Sequence, residues 1–172
     1  MDRRLPQDSA TLVTLFFYGT LKRGHANHDR YCRGALGVEE ATLRGELYDL
    51  PFGFPALVVP EEDVCATGSA DPTRDASEQQ RLNDIGVHGH DGPRVYGELF
   101  TFDDPEARLP ALDRLEGFDP NGGPNLYRRV LVPVETAGRA QGCAQGRAHI
   151  AAWVYAIEKP SGVYLPGGRW PS

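Results

Sequence analysis

The sequence predicts an α+β domain built on a sheet or barrel-like sheet, and three observations carry that prediction. Short apolar runs rich in β-branched and aromatic residues outnumber helical runs. They do not alternate with helices as a regular βαβ series. Twenty glycines and 14 prolines divide the 172 residues with turns. That length fits one domain with a normal core. Residues 1–10 read as a loose polar arm, and residues 11–172 as a single domain with an inserted loop at about 61–93.

In chain order, a first strand covers about 12–18 and closes at Gly19, and 24–31 suits a short helix. Residues 41–50 alternate well enough for a strand, supported by the turn at Pro51-Phe52-Gly53-Phe54-Pro55. Ala56–Val59 reads as a short strand ended by Pro60. From 61 to 93 acidic, Ser, Gly and Pro residues dominate, with one helix-like piece near Ala76–Asn83, so this stretch reads as a long, partly mobile excursion. Alternation returns over Arg94–Phe102 as a strand. Asp103-Asp104-Pro105-Glu106 opens a helix, with Pro in the first turn and acids at the positive end of the dipole. Leu109, Leu112 and Leu115 give that helix its apolar side, and Gly117 stops it. Leu126–Val134, bounded by Pro133, and Ala148–Ala156 complete the strands.

Composition excludes several function classes. The net charge is −6 with no Lys/Arg block, which argues against nucleic-acid and polybasic membrane partners. No apolar run approaches membrane-spanning length, and Met1–Pro6 lacks the apolar core of a signal peptide, so a soluble, cytoplasmic protein is expected. Cys32, Cys65 and Cys143 are odd in number and form no C-x-x-C pair, which fits ordinary reduced thiols. His88, His90 and Asp91 sit in a Gly-rich loop without partner ligands at helical spacing, and read as surface rather than metal site. His25 and His28 read as a solvated face.

Two segments suit chemistry. The run Leu12–Tyr18 stops at Gly19-Thr20-Leu21, where the missing Cβ lets backbone N–H groups approach an anion or a developing oxyanion. Glu116 falls in the last turn of its helix, where the dipole disfavours negative charge, and Leu115 and Phe118 add desolvation. A carboxylate raised in this way suits proton transfer near neutral pH. The same residues also fit a plain connecting turn and a solvated Glu before a capping glycine.

Taken together and in order, the blocks are specific. They are Tyr18-Gly19-Thr20-Leu21 with Gly24 and Asn27, Gly45–Leu50 with Phe54-Pro55-Ala56-Leu57, and Val95–Phe100. Leu112–Phe118, Tyr127-Arg128-Arg129, Ala152–Tyr155 and Gly168-Arg169-Trp170 follow. The chain resembles the gamma-glutamylcyclotransferase-like family, of the gamma-glutamylamine cyclotransferase type, over about residues 12–170 apart from 61–93. The resemblance implies a small mixed sheet closing into a β-barrel with a few short helices, and release of 5-oxoproline from a small-molecule γ-glutamyl amide. It also implies Glu116 as the general acid/base, Tyr18, Gly19, Thr20 and Leu21 as the substrate-binding turn, and Tyr127 as a pocket residue. Neither metal nor cofactor is implied.

The chemistry matches these residue types. The substrate's α-amine attacks its own γ-carbonyl, so its ammonium form must first lose a proton to Glu116. Amides of the 19–21 turn suit either the γ-oxygen or the α-carboxylate. Two other readings stay open: a non-catalytic binding or interaction module on the same fold, and plain amide hydrolysis, for which no water-activating partner is visible. Thr20 lacks an adjacent base, so a binding or turn role is expected, and Asn27 is expected to tie the turn. Glu46 and Glu98 are expected to face outward. Arg128 and Arg129 fit equally a substrate carboxylate or acids on a neighbouring strand. The 61–93 stretch fits a lid, an interface or an inert insert.

Overall fold

The computed structural model describes residues 11–137 and 148–171; the N-terminal arm and Cys143 lie outside them. The elements are β1 (Val13–Phe17), α1 (His28–Tyr31), β2 (Gly37–Arg44), β3 (Glu46–Asp49), β4 (Pro55–Val58) and β5 (Ala66–Thr67). Then follow α2 (Pro72–Ile85), β6 (Arg94–Phe102), α3 (Pro105–Glu116), β7 (Arg128–Thr136), β8 (Ala148–Ala156) and β9 (Val163–Tyr164).

Five strands close a mixed barrel in the order β2-β6-β1-β8-β7. The closing pairs are Ala41 with Thr136 and Thr42 with Glu135, between β2 and β7. Strand β1 runs antiparallel to β6 and parallel to β8. A second sheet, β4-β3-β9, sits beside the barrel. One buried cluster draws on all five barrel strands and on no helix, as a barrel interior must; Phe16, Leu43, Leu99, Val132 and Val154 belong to it. The other takes the opposite faces of the strands, with Val13, Leu15, Phe17 and Trp153 packed against Leu109 and Leu112 of α3 and Ala76 of α2. Burial on both faces explains why Leu15-Phe16-Phe17 is apolar without alternation.

Three sequence expectations change. The strand expected over 41–50 is two strands in two sheets, broken at Gly45, whose N–H donates to Pro93 O and where a Cβ would lie 2.8 Å from Val58 O. The strand expected to end near Pro133 runs on to Thr136. On that edge β7 pairs with β5 at Val130 and Leu131 and with β2 at Glu135 and Thr136, so Pro133 falls in the gap, where no ladder donor is required.

The third concerns the 61–93 stretch, whose centre is the 14-residue helix α2 rather than a loop. Asp71 caps it by accepting from Arg74 N. Gln79 docks it on the barrel: Oε1 accepts from Thr14 N, while Nε2 donates to Thr14 O and Ala151 O. Asn83 Oδ1 accepts from Ala151 N. Polar side chains hold this helix in place, so it carries little of the apolar periodicity by which helices are read from sequence.

Gly97 is where β6 crosses closest to β1. A Cβ there would lie 2.3 Å from Phe17 O and 2.7 Å from Phe16 Cζ. Gly97→Ala is expected to cost about 2–3 kcal/mol, as overpacking does, and to lower the melting temperature by several degrees. An unchanged melting temperature would contradict this packing.

Candidate active site

Where β1 ends, the chain folds into a turn whose carbonyls are all engaged. Lys22 N donates to Gly19 O at 3.1 Å and Asn27 N to Thr20 O at 2.9 Å, while His28 Nδ1 lies 3.1 Å from Leu21 O. Asn27 Nδ2 also donates to Thr20 Oγ1 at 2.9 Å. Among the described residues no acceptor takes the N–H of Gly19, Thr20 or Leu21, so three adjacent amides are left for a ligand. Gly19 is needed because β4 packs directly on the turn: a Cβ would stand 2.8 Å from Pro55 Cγ.

Helix α3 delivers the acid. Its Pro105 start and its left-handed cap at Gly117 (φ +67°) set its length, with Phe118 N donating to Asp113 O, so that Glu116 is its last residue. The Glu116 carboxyl makes no hydrogen bond or ion pair with any described residue. Burial alone pushes its pKa up to about 7.

Three tyrosines surround that carboxyl, each with its hydroxyl committed elsewhere. Tyr18 donates to Tyr155 O at 2.6 Å, Tyr127 to Pro55 O at 2.7 Å and Tyr155 to Asp113 Oδ1 at 2.7 Å. Burial above all holds the three phenols above their ordinary pKa; the next cause is Tyr127 for Tyr18, the Glu116 charge for Tyr127 and the Asp113 charge for Tyr155. The three phenols are therefore neutral, and their residues line the cavity.

Behind the site lies a buried charge cluster. Arg129, fully buried, makes a two-pronged contact with Asp113 (2.8 and 3.1 Å) and pairs with Asp75 of α2 at 2.9 Å. Ser69 N and Oγ donate to Asp75, and Ser69 O accepts from Arg129. The cluster thus ties α2 to α3 one turn before Glu116.

The turn, Asn27, Glu116, Tyr127, Tyr155 and the Phe54-Pro55 bend bound one cavity of about 310 Å³. Every residue singled out from the sequence (Tyr18, Gly19, Thr20, Leu21, Glu116 and Tyr127) lines it. A larger groove of about 760 Å³ runs past β2, β6 and the C-terminal tail and contains none of them. There Arg23 pairs with Glu98, Lys22 Nζ donates to Trp170 O and Arg169 covers the Tyr96 ring, so charge is spent on internal contacts.

Some of the remaining expectations hold, such as an outward-facing Glu46, and others change. Neither arginine of the Tyr127-Arg128-Arg129 block lines the cavity; Arg128 pairs with Glu61 and Arg129 with Asp113 and Asp75. Glu98 accepts from Arg23 and Glu46 from the Tyr48 hydroxyl. His28 is not on a solvated face: its ring packs 5.6 Å from Phe100 because the turn brings it under Leu21. His25 packs 5.8 Å from Trp170. His90 Nδ1 lies 2.8 Å from Asp63 Oδ1. Phe54, Pro55 and Tyr155 also line the cavity without having been singled out as site residues, although the turn signal at 51–55 and the last strand mark where they fall.

Comparisons with known proteins bear on the family of the chain. A model of the family described as gamma-glutamyl cyclotransferase, AIG2-like, matches residues 15–86 and 83–172. The chain is 28% identical over 158 residues to the gamma-glutamylaminecyclotransferase of Bos taurus, covering 92% of this chain and 74% of that one. Among solved structures it is similar in fold to YkqA of Bacillus subtilis, with 21% identity and a TM-score of 0.54 over 92% of this chain, and it spans 39% of the YkqA chain. An AIG2-like protein of Mus musculus is 19% identical with a TM-score of 0.46, over 85% of this chain and 77% of that one. The family match runs through both the Tyr18–Leu21 turn and the Glu116 helix end, and the protein belongs to the AIG2-like gamma-glutamyl cyclotransferase family.

Proposed function

We propose that the protein is a γ-glutamyl cyclotransferase that converts a γ-glutamyl amide into 5-oxoproline and a free amine, with Glu116 as its general acid/base. The observation that carries this reading is the unpartnered Glu116 carboxyl, with a pKa of about 7, in the same cavity as the three unpaired amides of the 19–21 turn.

The α-ammonium of the bound substrate gives a proton to Glu116. The freed lone pair attacks the γ-carbon, closing a five-membered ring, and the γ-oxygen takes up negative charge. Amides of the 19–21 turn hold either that oxygen or the α-carboxylate. Protonated Glu116 then delivers its proton to the leaving nitrogen as the C–N bond breaks. The ammonium began with three N–H bonds and the lactam keeps one; the two protons shed end on the departing amine. Holding the substrate folded, with amine against carbonyl, supplies up to ~7–11 kcal/mol in favourable cases. The ring walls of Tyr18, Tyr127 and Tyr155 suit that task, since their hydroxyls are already fixed.

Glu116 must be ionised to accept the proton, so kcat/KM for 5-oxoproline release is expected to rise with pH through about 7. A single group of that pKa makes the rate at pH 6 roughly tenfold lower than at pH 8. A rate flat across this interval would contradict the role of Glu116.

A further inference from the structure

We infer that Asp75, on helix α2, is a positioning residue of the reaction: through Arg129 it fixes the last turn of α3, and with it the Glu116 carboxyl. The inference rests on the cyclotransferase reading of the cavity. It makes the 61–93 stretch a buttress of the site, distinct from a lid, an interface or an inert insert.

Glu116 has no support of its own. Its carboxyl makes no hydrogen bond or ion pair with any described residue, so its direction follows from the backbone that carries it. That backbone is the end of a helix, where intrahelical bonds run out and the last turn frays unless something holds it. Gly117 N reaches Arg114 O at 3.4 Å, and Phe118 N donates to Asp113 O at 2.9 Å.

Arg129 holds this turn from both sides of Glu116. Its guanidinium grips the Asp113 carboxylate, three residues before the acid, at 2.8 and 3.1 Å. It also lies 5.7 Å from the ring centroid of Phe118, two residues after the acid. The guanidinium is in turn aimed by the segment that leads into α2. Asp75 Oδ2 accepts from Nη1 at 2.9 Å, and Ser69 O accepts from Nη2 at 3.2 Å. Ser69 N and Oγ fix the two oxygens of Asp75 at 2.9 and 2.7 Å. Gly68 completes the wrap: a Cβ there would stand 2.7 Å from Arg129 Cζ, so glycine lets the chain pass this close.

Stability is a weak reason for such an arrangement. Apolar side chains of similar volume often match or better a buried ion cluster in stability, whereas directional bonds fix one geometry. In catalysis that geometry counts, since a misplacement of about 1 Å costs on the order of 100-fold in rate.

The test is kcat and KM for 5-oxoproline release from γ-glutamyl-n-butylamide and γ-glutamyl-alanine, read beside the melting temperature. Asp75→Ala removes the acceptor on Arg129 Nη1 and is expected to lower kcat about 10- to 100-fold, with KM within about threefold. Asp75→Asn keeps an amide oxygen in the place of Oδ2 and is expected to hold kcat within about threefold of wild type. Gly68→Ala displaces the guanidinium with every charge in place and is expected to lower kcat about tenfold; it reports even if Asp75→Ala fails to fold. Gln79→Ala loosens α2 from Thr14 and Ala151 rather than from Arg129. It is expected to lower the melting temperature with kcat within about twofold. Wild-type kcat in folded Asp75→Ala or Gly68→Ala overturns the inference alone, as does a rise in KM in place of the fall in kcat. Asp75→Asn as slow as Asp75→Ala, or Gln79→Ala as slow as either, overturns it too. No 5-oxoproline from either amide with the wild type overturns the cyclotransferase reading itself, and the inference with it.

Discussion

Glu116→Gln is expected to lower kcat for 5-oxoproline release by about 1,000-fold or more, with KM within a few-fold of wild type, because glutamine keeps the shape but takes no proton. Its effect on stability has a definite sign. Burial raises the Glu116 pKa to about 7 in the folded protein, against roughly 4.3 in an unfolded chain. The folded state therefore binds this proton more tightly. That contribution to stability is complete below about pH 4 and is lost as pH rises through about 7. Glutamine does not titrate, so the variant should gain on wild type between pH 5 and pH 8, by on the order of 2 kcal/mol. Melting curves across that interval, run beside the activity assay, check both halves. A variant that retains activity, or whose stability difference from wild type does not change with pH, would contradict the assignment.

Arg129→Met is expected to have the largest effect on stability. It leaves Asp113 and Asp75 buried without their shared cation, a change that costs roughly 3–5 kcal/mol. In a chain of this size that lowers the melting temperature by on the order of 10 °C. Arg129→Lys should recover little, since one ammonium cannot span both oxygens of Asp113 and reach Asp75 as the guanidinium fork does. Thermal unfolding of both variants checks this; a fall of under about 2 °C for Arg129→Met would show that the cluster is not holding α2 to α3.

What could be read from the sequence depended on how each element makes its contacts. Strands β1, β6 and β8 and helix α3 bury apolar side chains, and Gly19 and Gly117 close β1 and α3, so their existence, and nearly their bounds, follow from pattern. The turn at Gly19 and the acid at the end of α3 were legible for the same local reasons. Helix α2 was visible only in part because Gln79, Asn83 and Asp75 dock it through hydrogen bonds and an ion pair, which leave no periodic apolar stripe. The division of the 41–50 strand was hidden because Gly45 breaks it through the approach of Val58 O, a contact between segments distant in space until folded. Arg128 and Arg129 show the same limit: spacing brought them next to Tyr127, but only the fold shows both turned toward acids. Phe54 and Leu126 of the cavity wall likewise come from two separate loops, so the apolar character of that wall does not appear along the chain.

In the proposed reaction the γ-amide is cleaved by the substrate's own amine. The most direct measurement is the identity of the acidic product, followed by NMR or mass spectrometry, when the protein acts on a neutral γ-glutamyl amide. The expected result is 5-oxoproline in a one-to-one ratio with the released amine and no free glutamate. Glutamate in place of 5-oxoproline would mean that water, not the α-amine, attacks the carbonyl, and would contradict the account.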